Sequence, residues 1–257
     1  MPPVPAPAAP PAPRPNRALR RGRAAAVVLS VLLAAALLAV LQSPAVRGPA
    51  SGAPVPAVAG TGSEAVAGAD VLRFAVAGDS ITADHAFPED VRRREVGERS
   101  WVRHAQAPGV EFTGGWAVGG ATSADMAAGL GAVDADVLVV LAGTNDIYRG
   151  TAPERIGANL IRLVEAAGAP RVVVSSIPPR DGFGGPTLEY NAWLEAFAAE
   201  QGWEWVDAAA GLRAADDPGR FAPGMAYDGI HPDHAGARVI GAAVLAHLAE
   251  VPTAAGG

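Results

Sequence analysis

Cysteine is absent from the 257 residues, which excludes disulfides, a thiol nucleophile, a thiolate-bound metal and the lipidated cysteine of a lipoprotein signal. Lysine is absent as well, so all 20 basic residues are arginine; beside so much alanine, glycine and proline, this is the composition of a GC-rich coding sequence. Basic residues are also scarce where a folded domain is expected. Six arginines and one acid precede Asp70, whereas 14 arginines face 25 acids from Asp70 onward. A domain this acidic lacks the basic face that displaces counterions from nucleic acid, so nucleic acid is excluded as a partner.

What the first 69 residues do contain is an address. Residues 1–23 are a proline-rich tail carrying Arg14, Arg17, Arg20, Arg21 and Arg23, and residues 24–41, "AAAVVLSVLLAAALLAVL", form an uncharged run of 18. That length lies at the lower edge of a membrane-spanning helix, which takes about 20 residues. A buried core helix would need neighbours to cover it, and this run is flanked only by the basic cluster and a Pro-rich linker. The arginines are expected to stay in the cytoplasm, sending the acidic domain outward, with the run serving as a single-span anchor or as a signal peptide cut near Ser43-Pro44-Ala45. Residues 42–69, rich in Pro, Ala and Gly, read as a tether. Residues 70–250 are then the folded domain and 251–257 a disordered end.

Within 70–250, short apolar runs alternate with longer amphipathic ones. Strands are expected at Val71–Ala77, Val110–Thr113, Asp136–Ala142, Arg171–Ile177 and Trp203–Val206, several of them apolar without alternation, as parallel strands covered on both faces are. Helices are expected at Pro153–Ala167, at Leu188–Gln201 with Leu188, Asn191, Leu194, Phe197 and Ala198 as its stripe, and at Asp233–Glu250. The alternation predicts an α/β fold, a three-layer α/β/α sandwich around a mostly parallel sheet. In such sheets ligands bind beyond the carboxyl ends of the strands.

The polar residues at those ends are chemically complementary. The first strand stops at Gly78-Asp79-Ser80, the second leads to Gly119-Gly120-Ala121-Thr122, the third to Gly143-Thr144-Asn145-Asp146, and Asp228-Gly229-Ile230-His231 precedes the last helix. A serine hydroxyl needs a base, and His231 is suited to that task. Asp228, three residues earlier, can take the imidazole N–H and fix its tautomer. The N–H groups of Ser80 and Gly120 and the Asn145 amide are candidate donors to an oxyanion. Each residue also has a plain alternative: Ser80 as the end of a strand, Asn145 as a cap, and Asp79 bonding its own backbone, which is the role assigned to it. The His231-x-x-His234 spacing with Asp228 could suggest a metal, but no further ligand cluster completes such a site, and His234 is expected to face outward. Trp116 is a candidate lining for the pocket.

The four blocks "AGDSIT", "VGGATSADM", "AGTNDI" and "DGIHPDHAGA" together resemble those of the SGNH, or GDSL, hydrolases, in order and spacing, over Val71 to about Leu248. The resemblance implies a flavodoxin-like sheet, with Ser80, Gly120, Asn145 and His231 as the residues that name the family and Asp228 completing a triad. It departs from many members at Trp116-Ala117, before the second block. Ser80 does not sit in a G-x-S-x-G elbow, since Thr82 stands two residues on. The expected function is a serine ester hydrolase acting outside the cytoplasm on a small-molecule or carbohydrate ester with a short acyl chain, needing no metal or organic cofactor. An acyltransferase using the same residues is the nearest alternative, and a non-catalytic carbohydrate-binding domain a more distant one.

Overall fold

The computed structural model describes residues 71–250. The expected tail, membrane segment, tether and C-terminal end lie outside them. Among the described residues no helix is long and apolar enough to cross a membrane.

Five parallel strands form the sheet: β1 (Leu72–Gly78), β2 (Val110–Ala117), β3 (Val137–Leu141), β4 (Arg171–Ser175) and β5 (Glu204–Val206), in the order β2-β1-β3-β4-β5. The chain leaves β1 toward one edge, then returns past it and builds toward the other. Right-handed crossovers therefore put the connections of the two halves on opposite faces. Before β2 come the short helices α1 (Ser80–Ala83) and α2 (Pro88–Arg92) and a 3₁₀ turn at Trp101–His104. Helix α3 (Ser123–Gly129) follows β2, α4 (Thr144–Tyr148) and α5 (Pro153–Ala167) follow β3, α6 (Gly184–Gln201) follows β4, and α7 (His234–Glu250) closes the domain. Helix α5 packs on α3, and α7 on the Trp101–His104 turn.

β1 and β3 are almost entirely buried, as their unalternating apolar sequences require. Helix α5 places Ile156, Leu160, Leu163 and Ala167 in the core, and each of the three larger side chains stabilises by about 1.5–3 kcal/mol relative to leaving it in water.

Several expectations change. The second strand does not stop at Thr113 but runs to Ala117. Gly114-Gly115 reads as a turn in sequence; here Gly115, at φ +143°, lies so close to the backbone of Val76 that no Cβ would fit. The register slips at Thr113, so that Phe112 pairs with Phe74 but Trp116 with Ala77, and Trp116 lies on the opposite face of the sheet from Val110 and Phe112. Trp116 packs against Gly129 at 8 % exposure and is a core residue, not a pocket wall. The fourth strand stops at Ser175, because the Asn191 side chain takes both backbone groups of Ile177, accepting from its N–H at 2.9 Å and donating to its carbonyl at 3.0 Å. Asn191 belongs to the buried stripe of α6 with Thr187, Tyr190, Leu194 and Ala198, whereas Leu188 lies on the exposed side. The last helix starts at His234, one residue after the expected Asp233, and His234 is exposed.

Candidate active site

At the end of β1 the chain turns into α1, and Asp79 caps it: its Oδ1 accepts the Ile81 N–H at 2.9 Å. That local bond is the one its residue type predicts, and it puts Ser80 at the first position of the helix, at the carboxyl edge of the sheet. β1 lies where the strand order reverses, between β2 and β3, which is where such sheets take their ligands.

His231 reaches this edge from a loop 151 residues later, with its Nε2 2.9 Å from Ser80 Oγ. Its other ring nitrogen, Nδ1, lies 2.7 Å from Asp228 Oδ2. Asp228 Oδ1 accepts the N–H groups of Ile230 at 2.9 Å and His231 at 2.7 Å. Burial acts to raise the Asp228 carboxyl, but the His231 and Ile230 N–H groups and the His231 ring outweigh it and hold it below the usual carboxylate range. An ionised Asp228 accepts from Nδ1–H, the tautomer that leaves Nε2 free to accept from the serine. Serine, histidine and aspartate are thus brought into one bonded line, partly open to solvent.

The other two expected site residues are joined to this line through Asp79. Asn145, the second residue of α4, donates from Nδ2 to the Ala121 carbonyl at 2.9 Å and to Asp79 Oδ2 at 3.2 Å. This sets the Gly120-Ala121 turn beside Asp79-Ser80. Gly120 has φ +78°, a conformation that favours glycine, and its carbonyl accepts from Arg149 Nη2 at 2.9 Å. Asp79 is fully buried; that burial pushes its carboxyl up to about 6, against the Ile81 N–H and the nearby His231, while Asp146 adds to the rise.

Several supporting residues were missed in the sequence, and only the first pair had a local signal there. The Thr122 side chain caps α3 and Asp125 returns the bond to the Thr122 N–H, a capping box written as T-S-A-D. Ser123 donates from its N–H at 2.8 Å and its hydroxyl at 2.6 Å to the buried Asp146, and Asn159 donates to Ser123 Oγ at 2.8 Å. These bonds fasten the loop after β2 to the loop after β3. Tyr227, directly before Asp228, lies nearly parallel to the His231 ring, 15° apart with centroids at 5.7 Å, and the Arg99 guanidinium lies over Tyr227 at 4.5 Å. A concavity of about 400 Å³ lined by Arg92, Thr113, Gly114, Gly129 and Leu130 contains none of the five expected residues.

Among solved structures, the fold is similar to a lipolytic protein of the G-D-S-L family from Veillonella parvula, at 22 % identity and a TM-score of 0.55, covering 70 % of this chain and 100 % of that one. It is similar to a single-residue variant of an acetyl xylan esterase from Geobacillus stearothermophilus, at 18 % identity and a TM-score of 0.54, covering 72 % and 98 %. A GDSL-like lipase from Bacteroides thetaiotaomicron aligns at 19 % identity and a TM-score of 0.51, over 69 % and 88 %. No curated protein matches the chain by sequence. The model of the GDSL-like lipase/acylhydrolase family matches residues 76–239, more than half of the chain, and the protein belongs to that family, as a carboxylic ester hydrolase of the SGNH/GDSL type.

Proposed function

We propose that the enzyme cleaves a short-chain acyl ester through Ser80, His231 and Asp228, by way of an acyl-serine. The observation that supports this most is the pair of contacts at His231, 2.9 Å to Ser80 Oγ and 2.7 Å to Asp228 Oδ2. Ser80 Oγ attacks the ester carbonyl carbon while its proton passes to His231 Nε2. The tetrahedral intermediate collapses, the carbon–oxygen bond to the leaving alcohol breaks, and His231 returns the proton to that alcohol. Water then gives a proton to His231 and adds to the acyl-serine; the carboxylic acid leaves and Ser80 regains its proton. Asp228, ionised, holds the Nδ1–H and stabilises the imidazolium between these transfers.

The N–H groups of Ser80 and Gly120 are assigned to the developing oxyanion together with the Asn145 amide, which exchanges its longer 3.2 Å bond to Asp79 for the oxyanion; each such donor is worth about 10²- to 10³-fold in rate. The catalytic domain is compact, which favours small acyl groups; the acetyl xylan esterase on a similar fold supports an acetylated carbohydrate as the substrate class. The placement outside the cytoplasm rests on the basic cluster followed by the 18 apolar residues of 24–41.

The test is hydrolysis of p-nitrophenyl acetate, butyrate and octanoate by the full-length chain in mild detergent, together with fluorophosphonate labelling mapped by mass spectrometry. Label at Ser80, loss of both label and turnover in Ser80→Ala, and preference for acetate are expected. An unimpaired Ser80→Ala enzyme would sink the mechanism, and a preference for octanoate would sink the substrate class.

A further inference from the structure

Two hydrogen bonds, one at each ring nitrogen, fix the position of the His231 imidazole but leave it free to tilt about the line joining them. The groups that meet the ring face are therefore as important as those that meet its edge. Tyr227 meets that face. The two residues are neighbours across a tight loop, in which the Tyr227 N–H donates to the His231 carbonyl at 3.2 Å and Ala226 bridges to Pro232.

Tyr227 is itself held. The Arg99 guanidinium lies over its ring, and Arg99 is fixed in turn by Asp84, whose Oδ2 accepts the Arg99 backbone N–H at 2.7 Å and whose Oδ1 accepts Nε at 3.2 Å. His85 Nε2 lies 3.3 Å from Arg99 Nη2 on the open side. Asp84 is the residue that ends α1, its N–H bonded to the Ser80 carbonyl at 2.9 Å. The contacts close a circuit: Ser80 to Asp84 along one helical turn, Asp84 to Arg99, Arg99 to Tyr227, Tyr227 to His231, and His231 back to Ser80.

We infer that Arg99 and Tyr227 form a clamp that holds the His231 ring in line with Ser80, with Tyr227 the positioning residue and Arg99 its brace. The inference rests on the proposed role of His231 as the base. Apart from the clamp, the loop bearing Asp228 and His231 is held to the domain by the Asp181 N–H, which donates to the Gly229 carbonyl at 2.8 Å, and directly to the nucleophile by the Ser80–His231 bond, which must break and re-form in every turnover. The circuit supplies a second tie that survives proton transfer. The side chains on it come from three separate stretches of chain, and neither member of the clamp touches the reacting atoms.

The experiment is steady-state hydrolysis of p-nitrophenyl acetate by the full-length chain. Tyr227 is 49 % exposed, so its replacement leaves the core untouched. Tyr227→Ala is expected to lower kcat about 10- to 100-fold with KM held within about twofold, because the geometry of the transition state is lost and ground-state binding is not. Tyr227→Phe, which keeps the ring face, restores kcat to within about threefold of the parent enzyme. Arg99→Ala lowers kcat in the same way by about 3- to 10-fold, and the double variant Arg99→Ala/Tyr227→Ala is no slower than Tyr227→Ala, as members of one linked unit behave. Should Tyr227→Ala fold poorly, Tyr227→Leu, with apolar bulk and no aromatic face, takes its place and is expected to show the same loss. Parent-like kcat in the alanine or leucine variant, or losses that multiply in the double variant, overturns the clamp. Ser80→Ala assayed alongside separates the two levels: if it is inactive while Tyr227→Ala is parent-like, only the clamp fails, whereas an active Ser80→Ala enzyme removes the proposed mechanism and the clamp with it.

Discussion

Replacing Asp79 with asparagine isolates what a buried charge does to this fold. Asp79 is fully buried, and its carboxyl is raised from 3.8 to about 6, burial being the largest cause. Between those two values the unfolded chain has released the proton that the folded protein still keeps. The stabilisation from this group is therefore complete below the unfolded value and disappears as pH rises through the folded one. The rise corresponds to about 3 kcal/mol, lost between roughly pH 4 and pH 7. Asparagine does not titrate. Whatever fixed cost the new amide carries is the same at every pH, so the difference in unfolding free energy between Asp79→Asn and the parent must shift in favour of the variant by about 2–3 kcal/mol over that range. Urea denaturation followed by tryptophan fluorescence at a series of pH values reads this directly. A difference that stays flat with pH would refute the reasoning, since it would mean that Asp79 titrates as an ordinary carboxyl. The same substitution is expected to reduce activity at neutral pH. One carboxylate oxygen of Asp79 accepts from Ile81 and the other from Asn145. Asparagine has one carbonyl oxygen, so one of these bonds fails. A variant whose stability relative to the parent rises with pH while its activity at neutral pH falls is the trade-off expected where a charge is kept buried for function.

Other substitutions have equally definite outcomes. Asp228→Asn preserves the loop but removes the charge that selects the imidazole tautomer, and kcat for a short ester is expected to fall about 10³- to 10⁴-fold. Asn145→Ala removes one proposed oxyanion donor, with an expected loss of about 10²-fold in kcat and little change in KM. Ser123→Ala leaves one oxygen of the buried Asp146 and the Asn159 amide without the partner they share; it is expected to lower stability by about 2–3 kcal/mol in chemical denaturation.

The parts of the molecule legible in the sequence are those written within one stretch of chain. The strand β3 is apolar throughout and β1 is so apart from Arg73, α5 has its stripe and starting proline, and Asp228 and His231 share one loop, so all of these can be read locally. The second strand reads too short because Gly114-Gly115 signals a turn when isolated, and only the approach of the Val76 backbone shows why a strand needs glycine there. The expectation of Trp116 at the pocket fails for the same reason: with the strand ended early, neither its pairing with Ala77 beyond the register slip at Thr113 nor its packing on Gly129 is visible. The role of Asp79 as a helix cap is readable; its second bond, to a side chain 66 residues away, is not. Arg99 lies in "GERSW" with no motif around it, and what it touches is decided by the fold. The segment 24–41 lies outside the described residues, and its role stays a proposal.

The serine and the histidine stand 151 residues apart, and nearly the whole domain is threaded between them. On the proposed mechanism, a ribosome has therefore made the nucleophile, the turn at Gly120 and the Asn145 loop long before it makes the base. Until the loop at Asp228 emerges and closes against the finished sheet edge, the growing chain carries an inert hydroxyl. If His231 is the base as proposed, its own synthesis keeps the enzyme silent, and any truncation before His231 yields a serine with no chemistry.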